Sequence, residues 1–267
     1  MDTTTQNTLT PSTLTKTNIF SAIYILWLRQ VKRYFRSRAR MVGSLGQPIL
    51  FLVAFGFGIG PIYAKAGGGN YMDFLVPGVI AMGILFTAIF SGIEIIWDKQ
   101  FGFLKETLVA PVSRLTIMCG RTLGGATVAM IQGIVVFLLS LIIGFRPHDW
   151  LLWIVGLFFM FLVALLFTAF GTAIASVLED MQGFQLIMNF VVMPTFFLSG
   201  ALFPLTNLPS ALRVITLANP LSYGVDGLRG TLVGENVFAL GTDALVLFCF
   251  TAFFVAIGAY LFSKIEG

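Results

Sequence analysis

The sequence predicts an all-α polytopic membrane protein. Six transmembrane helices follow an N-terminal interfacial helix, a polar amphipathic helix joins two of them on the cytoplasmic side, and an outer segment re-enters the membrane. Three observations predict this. The 267 residues are 57% hydrophobic and 10% charged, with a mean hydropathy of +0.93, whereas a soluble domain carries about 25% charged residues. Six apolar runs are each long enough to cross a hydrocarbon layer, which takes about 20 residues of helix at 1.5 Å per residue. The positive charges are spread unevenly over the loops that join those runs.

Residues 1–18 hold eight threonines and the single cation Lys16. With no apolar core behind a basic region, they are expected to be a disordered cytoplasmic tail rather than a signal peptide. Over 19–40 the periodicity predicts an amphipathic helix. Phe20, Ile23, Trp27, Val31 and Tyr34 share one face at 100° per residue, and Arg29, Lys32, Arg33, Arg36 and Arg40 share the opposite one. A basic helix with aromatic anchors lies in the membrane interface with its cations toward anionic headgroups. A soluble, partner-binding helix is the competing reading, and the immediate continuation into a span argues against it.

The spans are expected at 42–63, 74–96, 123–144, 151–177, 184–203 and 244–262. An even number puts both termini on one side. With that side cytosolic, twelve of the sixteen Lys and Arg fall inside and only Lys65, Arg146, Arg213 and Arg229 fall outside, which is the bias of a cytoplasmic face. The protein is therefore expected in the cytoplasmic membrane with the loop 97–121 in the cytosol. Gly56 and Gly60, Gly120 and Gly124, and Gly171 and Ala175 each stand one turn apart, where small residues let helix backbones approach closely.

The loop 97–121 is a short polar interruption between long apolar runs. Asp98, Lys99, Lys105, Glu106 and Arg114 alternate with Phe101, Leu104 and Leu108, whose i, i+3, i+7 spacing stacks them on one helical face. Pro111 lacks a backbone donor and stops that helix near Ala110. A soluble partner could grip such a knob; an ordinary hairpin lying on headgroups is the alternative. The segment 204–230 is too apolar for a solvated loop and too broken by Pro204, Pro209 and Pro220 for a span. It is expected to dip into the membrane and return, since irregular backbone at that depth survives only beside protein or a water-filled cavity. Asp226 and Arg229, three apart, could pair on one helical face.

Other chemistries are excluded or poorly supported. No Walker lysine motif occurs, so this chain is not expected to hydrolyse ATP. His148 is the only histidine, which rules out a multi-histidine metal site and a Ser-His-Asp triad within the membrane. Cys119 and Cys249 fall in or beside apolar runs and pack as small hydrophobes. The net charge of +4 reflects the loops and implies no nucleic acid. Glu94, near a span end, reads as an interfacial, partly hydrated carboxylate.

Two stretches carry a family resemblance. Trp97-Asp98, Gly102, the run Leu108-Val109-Ala110-Pro111-Val112-Ser113-Arg114 and Gly120 resemble the cytoplasmic loop of type-2 ABC transporter permeases. Phe197-Leu198-Ser199-Gly200, Phe203-Pro204, Leu208-Pro209 and Asn219-Pro220-Leu221-Ser222-Tyr223, followed by Asp226 and Leu228-Arg229, resemble the C-terminal signature of members related to antibiotic-resistance, nodulation-factor and capsule exporters. The likeness runs from about Phe20 to Phe262. It implies that the interfacial helix is an elbow helix and that 97–121 carries a coupling helix seated in a cleft of a separate ABC ATPase. The coupling residues would be Asp98, Lys99, Phe101, Gly102, Lys105, Glu106, Leu108, Pro111 and Arg114. The outer gate would use Phe203, Pro204, Pro209, Asn219, Pro220, Tyr223, Asp226 and Arg229. ATP and Mg would sit on the partner ATPase and no cofactor on this chain. A second permease copy, or a similar permease, would complete the assembly among membrane lipids. The implied function is the permease subunit of an exporter of a lipophilic or amphipathic substrate: a drug, a lipid or a lipid-linked saccharide. One departure is the run Phe101-Gly102-Phe103-Leu104-Lys105-Glu106, where many relatives are more acidic and carry Gly-Thr. The competing reading is a secondary transporter or membrane assembly factor that needs no ATPase. Secondary transporters place ionisable groups near the midplane and often show repeated halves, and neither feature is evident.

Overall fold

Helix α1 (Ile19–Arg36) is separated from α2 (Arg38–Lys65) by Ser37 alone, and α3 (Tyr71–Phe90) from α4 (Ile93–Gln100) by the turn Ser91-Gly92. Then come α5 (Arg114–Ile143), α6 (Trp153–Val177), α7 (Met181–Phe197), α8 (Ser210–Ala218), α9 (Pro220–Leu232) and α10 (Leu240–Ser263). This computed structural model describes residues 19–65, 67, 69–103, 112–203 and 209–264, with no strand among them. The expected disordered tail 1–18 lies outside the described residues, as do Leu104, Lys105, Glu106, Leu108 and Pro111 of the expected coupling helix and Pro204 of the expected gate.

Among the described residues five helices are long and apolar enough to span a membrane: Arg38–Lys65, Tyr71–Gln100 taken across its turn, Arg114–Ile143, Trp153–Val177 and Leu240–Ser263. The segment expected at 184–203 forms the 17-residue helix Met181–Phe197, about 26 Å long at 1.5 Å per residue against a hydrocarbon layer of about 30 Å. The chain turns at its end because Gly200 sits at φ 77°, a conformation that glycine adopts without strain. The loop expected over 97–121 also shortens. Residues 97–100 finish α4, and Ser113 caps α5 by accepting from the Thr116 N–H at 3.2 Å, so the helix begins at Arg114 instead of at the first strongly apolar residue.

Burial sets the order of the bundle. In the Tyr71–Gln100 rod 72% of the most apolar window is buried, against 17% in Arg38–Lys65 and in Leu240–Ser263, so α3 is the central strut and α2 and α10 lie outside it. Close packing against that strut occurs at Gly78, whose added Cβ would stand 2.1 Å from the Ala201 carbonyl oxygen, and again at its turn. A Cβ added to Gly92 would stand 2.5 Å from the Gly171 carbonyl oxygen, and one on Gly171 would stand 2.6 Å from that of Ile89. Gly92→Ala is therefore expected to lower stability by about 1–3 kcal/mol, measured as an earlier thermal transition of the purified protein. Gly58→Ala, whose Cβ meets nothing within 4 Å, is the control.

Helix α1 departs from its expected placement. Cβ atoms on Gly120 and Gly124 would collide with Leu26 and Gln30, so the small pair in α5 seats α1. Trp27 Nε1 donates to Thr127 Oγ1 at 2.9 Å and the Tyr34 hydroxyl to Gln132 Oε1 at 3.2 Å. Helix α1 thus follows α5 lengthwise from Gly120 to Gln132, about 18 Å, with Phe20, Tyr24, Ile25 and Phe35 exposed. The bundle has two ends. One gathers Tyr71, Gly200, α9 and the α5–α6 connection, where His148 N donates to the Leu232 carbonyl at 2.8 Å. The other gathers α4, the start of α5 and the α6–α7 connection.

Candidate functional site

The charges concentrate at the second end. Asp98, on the last turn of α4, is buried and accepts from Arg121 Nη2 of α5 at 2.7 Å and from Arg29 Nη2 of α1 at 2.9 Å. Arg33 stands 3.6 Å from both Asp98 and Glu94, and Arg40 Nη1 at the start of α2 donates to Glu94 at 2.7 Å. Four guanidinium groups therefore converge on two carboxylates and tie α1, α2, α4 and α5 together. Asp98 and Arg121 side chains are each 4% exposed, whereas Arg29, Arg33 and Arg40 keep a third or more of their surface open. The inner pair is the part that a lost partner would damage most, because a stranded buried charge is costly while an exposed ion pair contributes little.

These contacts correct two expectations. Arg29, Arg33 and Arg40, expected to face headgroups, turn to carboxylates of the protein. Glu94 is buried and paired rather than hydrated. The physical reason is common to both: a carboxylate taken out of water needs a cation close by, and the basic face of α1 supplies it.

Other side chains lock the same end. The guanidinium groups of Arg33 and Arg40 lie over the Trp97 ring, 5.5 and 5.9 Å from its centre, and its indole N–H donates to Met181 Sδ at 3.0 Å. Lys99 Nζ donates to the carbonyls of Ser176 and Leu178, covering oxygens at the end of α6 that have no helical donor. Burial pushes the pKa of the Tyr34 phenol up, so it remains the proton donor to Gln132. Beyond this cluster Phe101 is 72% exposed and Gly102 turns the chain at φ 77°. Arg29, Lys32, Arg33 and Arg36 form an open basic cleft with Asp98 and Phe103. Of the expected coupling residues, Asp98 and Lys99 thus face inward, Phe101 and Gly102 lie at the surface turn, and Arg114 opens α5.

At the first end lie Asn219, Pro220, Tyr223, Asp226 and Arg229 of the residues expected as a gate. Asn219 caps α9, its side-chain oxygen accepting from Leu221 N at 3.0 Å while its amide donates to the Thr195 carbonyl at 2.6 Å, and Pro220 occupies the first helical position, where its missing N–H is harmless. The Tyr223 hydroxyl donates to the Leu217 carbonyl at 2.9 Å, and its ring stacks on Phe238. Arg229 donates to the Gly200 carbonyl at 2.9 Å and lies 4.2 Å from the centre of the Phe74 ring. Pro209 precedes α8, and Phe203 is 42% exposed. The expected Asp226–Arg229 pair is replaced: Asp226 accepts from the backbone N–H groups of Val237 and Phe238 at 2.9 and 2.8 Å. Two amide donors serve a buried carboxylate at once, and Arg229 is drawn to carbonyls across the turn.

Sequence reasoning missed Arg121, Gln132 and Asp243. Arg121 carried a signal, since a cation on the flank of an apolar run requires a partner. Gln132 holds Tyr34, Ser44 Oγ at 3.0 Å and the Ser44 carbonyl at 3.1 Å. Asp243, in the first turn of α10, is 0% exposed and neither of its oxygens has a hydrogen-bond partner.

Comparison with known proteins adds a family. The family described as ABC-2 type transporter matches residues 21–233. The chain is 29% identical over 242 residues to the inner membrane transport permease YadH of Escherichia coli (strain K12), covering 88% of this chain and 92% of that protein. It is 27% identical over 270 residues to the putative transport permease ycf38 of Cyanophora paradoxa, covering 95% and 92%. It is 26% identical over 201 residues to nodulation protein J of Rhizobium leguminosarum bv. viciae, covering 74% and 77%.

Proposed function

This chain belongs to the ABC-2 type transporter family, and from that premise we propose that it is the permease subunit of an ATP-driven exporter in the cytoplasmic membrane. It works with a separate ABC ATPase, which binds ATP and Mg, and with a second permease that is either a copy of itself or a similar chain. Both termini are cytosolic, as is the turn at Phe101 and Gly102.

The observation that carries this reading is the charge cluster directly behind that turn. The segment between Gln100 and Arg114 is the only covalent link from α4 to α5, and the Asp98–Arg121 pair joins the same two helices non-covalently at 2.7 Å. Force applied to the segment by a nucleotide-driven partner reaches both helices together, and Arg29, Arg33 and Arg40 pass it to α1 and α2. The inner pair keeps α4 and α5 moving together because parting them strands a buried charge, while the more exposed cations of α1 and α2 add weaker ties. At the opposite end α8 and α9, of 9 and 13 residues, are each too short to cross about 30 Å of hydrocarbon. They form a re-entrant outer gate held by Asn219, Tyr223 and Arg229. The cargo is lipophilic or amphipathic, a drug, a lipid or a lipid-linked saccharide, in keeping with long apolar walls and few polar groups.

Charge reversal in the coupling segment tests this. Lys105→Glu combined with Glu106→Lys, in the assembled complex, is expected to lower cargo-stimulated ATP turnover and export by about tenfold or more, equivalent to about 1.4 kcal/mol of lost coupling. Unchanged turnover and export would remove the coupling role.

A further inference from the structure

A cavity of about 350 Å³ lies between the α1–α2 elbow, α3, α4 and α5, at the small end of the roughly 300–1,000 Å³ range of ligand pockets. Its walls are chemically divided. Pro48, Met82, Phe86, Phe90 and Val128 line it with apolar surface, and Met82 to Phe90 alone runs about 12 Å along α3. Gln30, Gln47 and Thr87 line it as well. Among the described residues Gln30 and Thr87 find no side-chain hydrogen-bond partner, and Gln47 Nε2 reaches only Met82 Sδ at 4.0 Å. A polar group facing an apolar space is costly unless something in that space bonds to it. The polar atoms of these three uncharged side chains are thus open to bond with what enters the cavity. Among the described residues the charged side chains on the wall are Arg40 and Glu94, already paired with each other at 2.7 Å. A charged headgroup would have to compete with that pair, whereas an uncharged one would not. The entrance has room: a Cβ added to Gly43, on the cavity wall, meets nothing within 4 Å.

We propose that this elbow cavity binds an amphiphile with an uncharged, hydrogen-bonding headgroup, the head against Gln30, Gln47 and Thr87 and the first carbons of its chain against Met82, Phe86 and Phe90. The amphiphile is cargo loaded from the cytoplasmic leaflet, an assignment that rests on the exporter reading above. Binding itself needs no ATPase.

The test uses the full-length permease in lipid nanodiscs and two photoactivatable probes with the same dodecyl chain, one carrying a maltose head and one a phosphate head. Covalent labels are mapped by mass spectrometry. The maltoside probe is expected to label 43–48 and 82–90, and excess unlabelled dodecyl maltoside is expected to compete the label away. The phosphate probe is expected to label these segments about fivefold less. Gly43→Phe and the double variant Gln47→Leu/Thr87→Val should each reduce maltoside labelling by about fivefold or more, the second through loss of hydrogen bonds alone. Should Gly43→Phe fail to fold, the double variant decides. Labelling that both variants leave unchanged, equal labelling by the two probes, or label confined to the lipid-facing sides of α2, α7 and α10 overturns the assignment. Basal ATP turnover of the co-purified complex is measured in parallel. Turnover retained without cavity labelling sinks the cavity alone, and cavity labelling with no associated ATPase sinks the exporter reading alone.

Discussion

Asp98→Asn is expected to destabilise the permease by about 3–5 kcal/mol, the range for removing one charge of a buried pair. The replacement keeps the shape of the side chain and removes only the charge. Arg121, 4% exposed and 2.7 Å from Asp98, then keeps its positive charge with no counter-ion in contact, and Arg29 and Arg33 add repulsion where they formerly added attraction. Arg121 Nε already lacks a hydrogen-bond partner, so no spare acceptor stands ready. Arg29→Gln removes a cation that is 42% exposed, and its expected cost is at most about 1 kcal/mol because water replaces the lost contact. The comparison separates a buried pair from a surface ion pair within one cluster. The double variant Asp98→Leu/Arg121→Met tests the cause: an apolar pair leaves no stranded charge, so it should recover most of the lost stability. Thermal denaturation of the purified protein ranks the four proteins. A double variant as unstable as Asp98→Asn would show that the carboxylate acts through something other than Arg121.

This cluster also marks how far the sequence could be read. The wheel over 19–40 correctly separates Trp27 and Tyr34 from Arg29, Arg33 and Arg40, because periodicity within a helix is local. The partners of those cations are not local. Arg29 and Asp98 are 69 positions apart, and no spacing rule connects them, so periodicity alone points the basic face at headgroups. The small pair Gly120 and Gly124 announced a close helix approach without naming α1 as the helix. At the other end Asn219-Pro220 was legible, since a capping side chain followed by a proline at the first helical position starts a helix wherever it stands. Asp226 and Arg229 were less so: i, i+3 spacing allows a pair, but the donors at Val237 and Phe238 and the acceptor at Gly200 come from turns whose positions only the fold fixes. Hydropathy likewise overran the end of α7. Apolar residues continue to Phe203, whereas the helix ends at Phe197 and the chain turns at Gly200. Lys105, Glu106, Leu108, Pro111 and Pro204 rest on sequence alone.

The second large effect is expected at Arg229. Its guanidinium group donates to the Gly200 carbonyl at 2.9 Å and to that of Phe74 at 3.4 Å, and it lies 4.2 Å from the centre of the Phe74 ring. It therefore fastens α9 to the turn after α7 and to the first turn of α3. Hydrogen bonds from a charged donor contribute about 1.5–3 kcal/mol each, and the ring contact about 0.5–2 kcal/mol. Arg229→Met keeps much of the apolar stem, removes every donor, and leaves both carbonyls without this partner. Arg229→Lys keeps the charge but not the planar fork, so it can serve one carbonyl well and the second poorly. Stability is expected to fall in the order Arg, Lys, Met. Opening of the turn is read separately with Ser199→Cys, at a site 1% exposed, in a background lacking Cys119 and Cys249. Its reaction with a water-soluble maleimide should quicken by about tenfold or more in the Met variant, since about 1.4 kcal/mol of lost restraint multiplies the open population tenfold. Tyr223→Phe, which loses one hydroxyl bond to the Leu217 carbonyl and leaves Arg229 in place, should quicken it far less. Equal reactivity in all three backgrounds would mean that the turn at Gly200 is held by backbone packing, such as the contact of Gly78 with Ala201, and that Arg229 is not the latch.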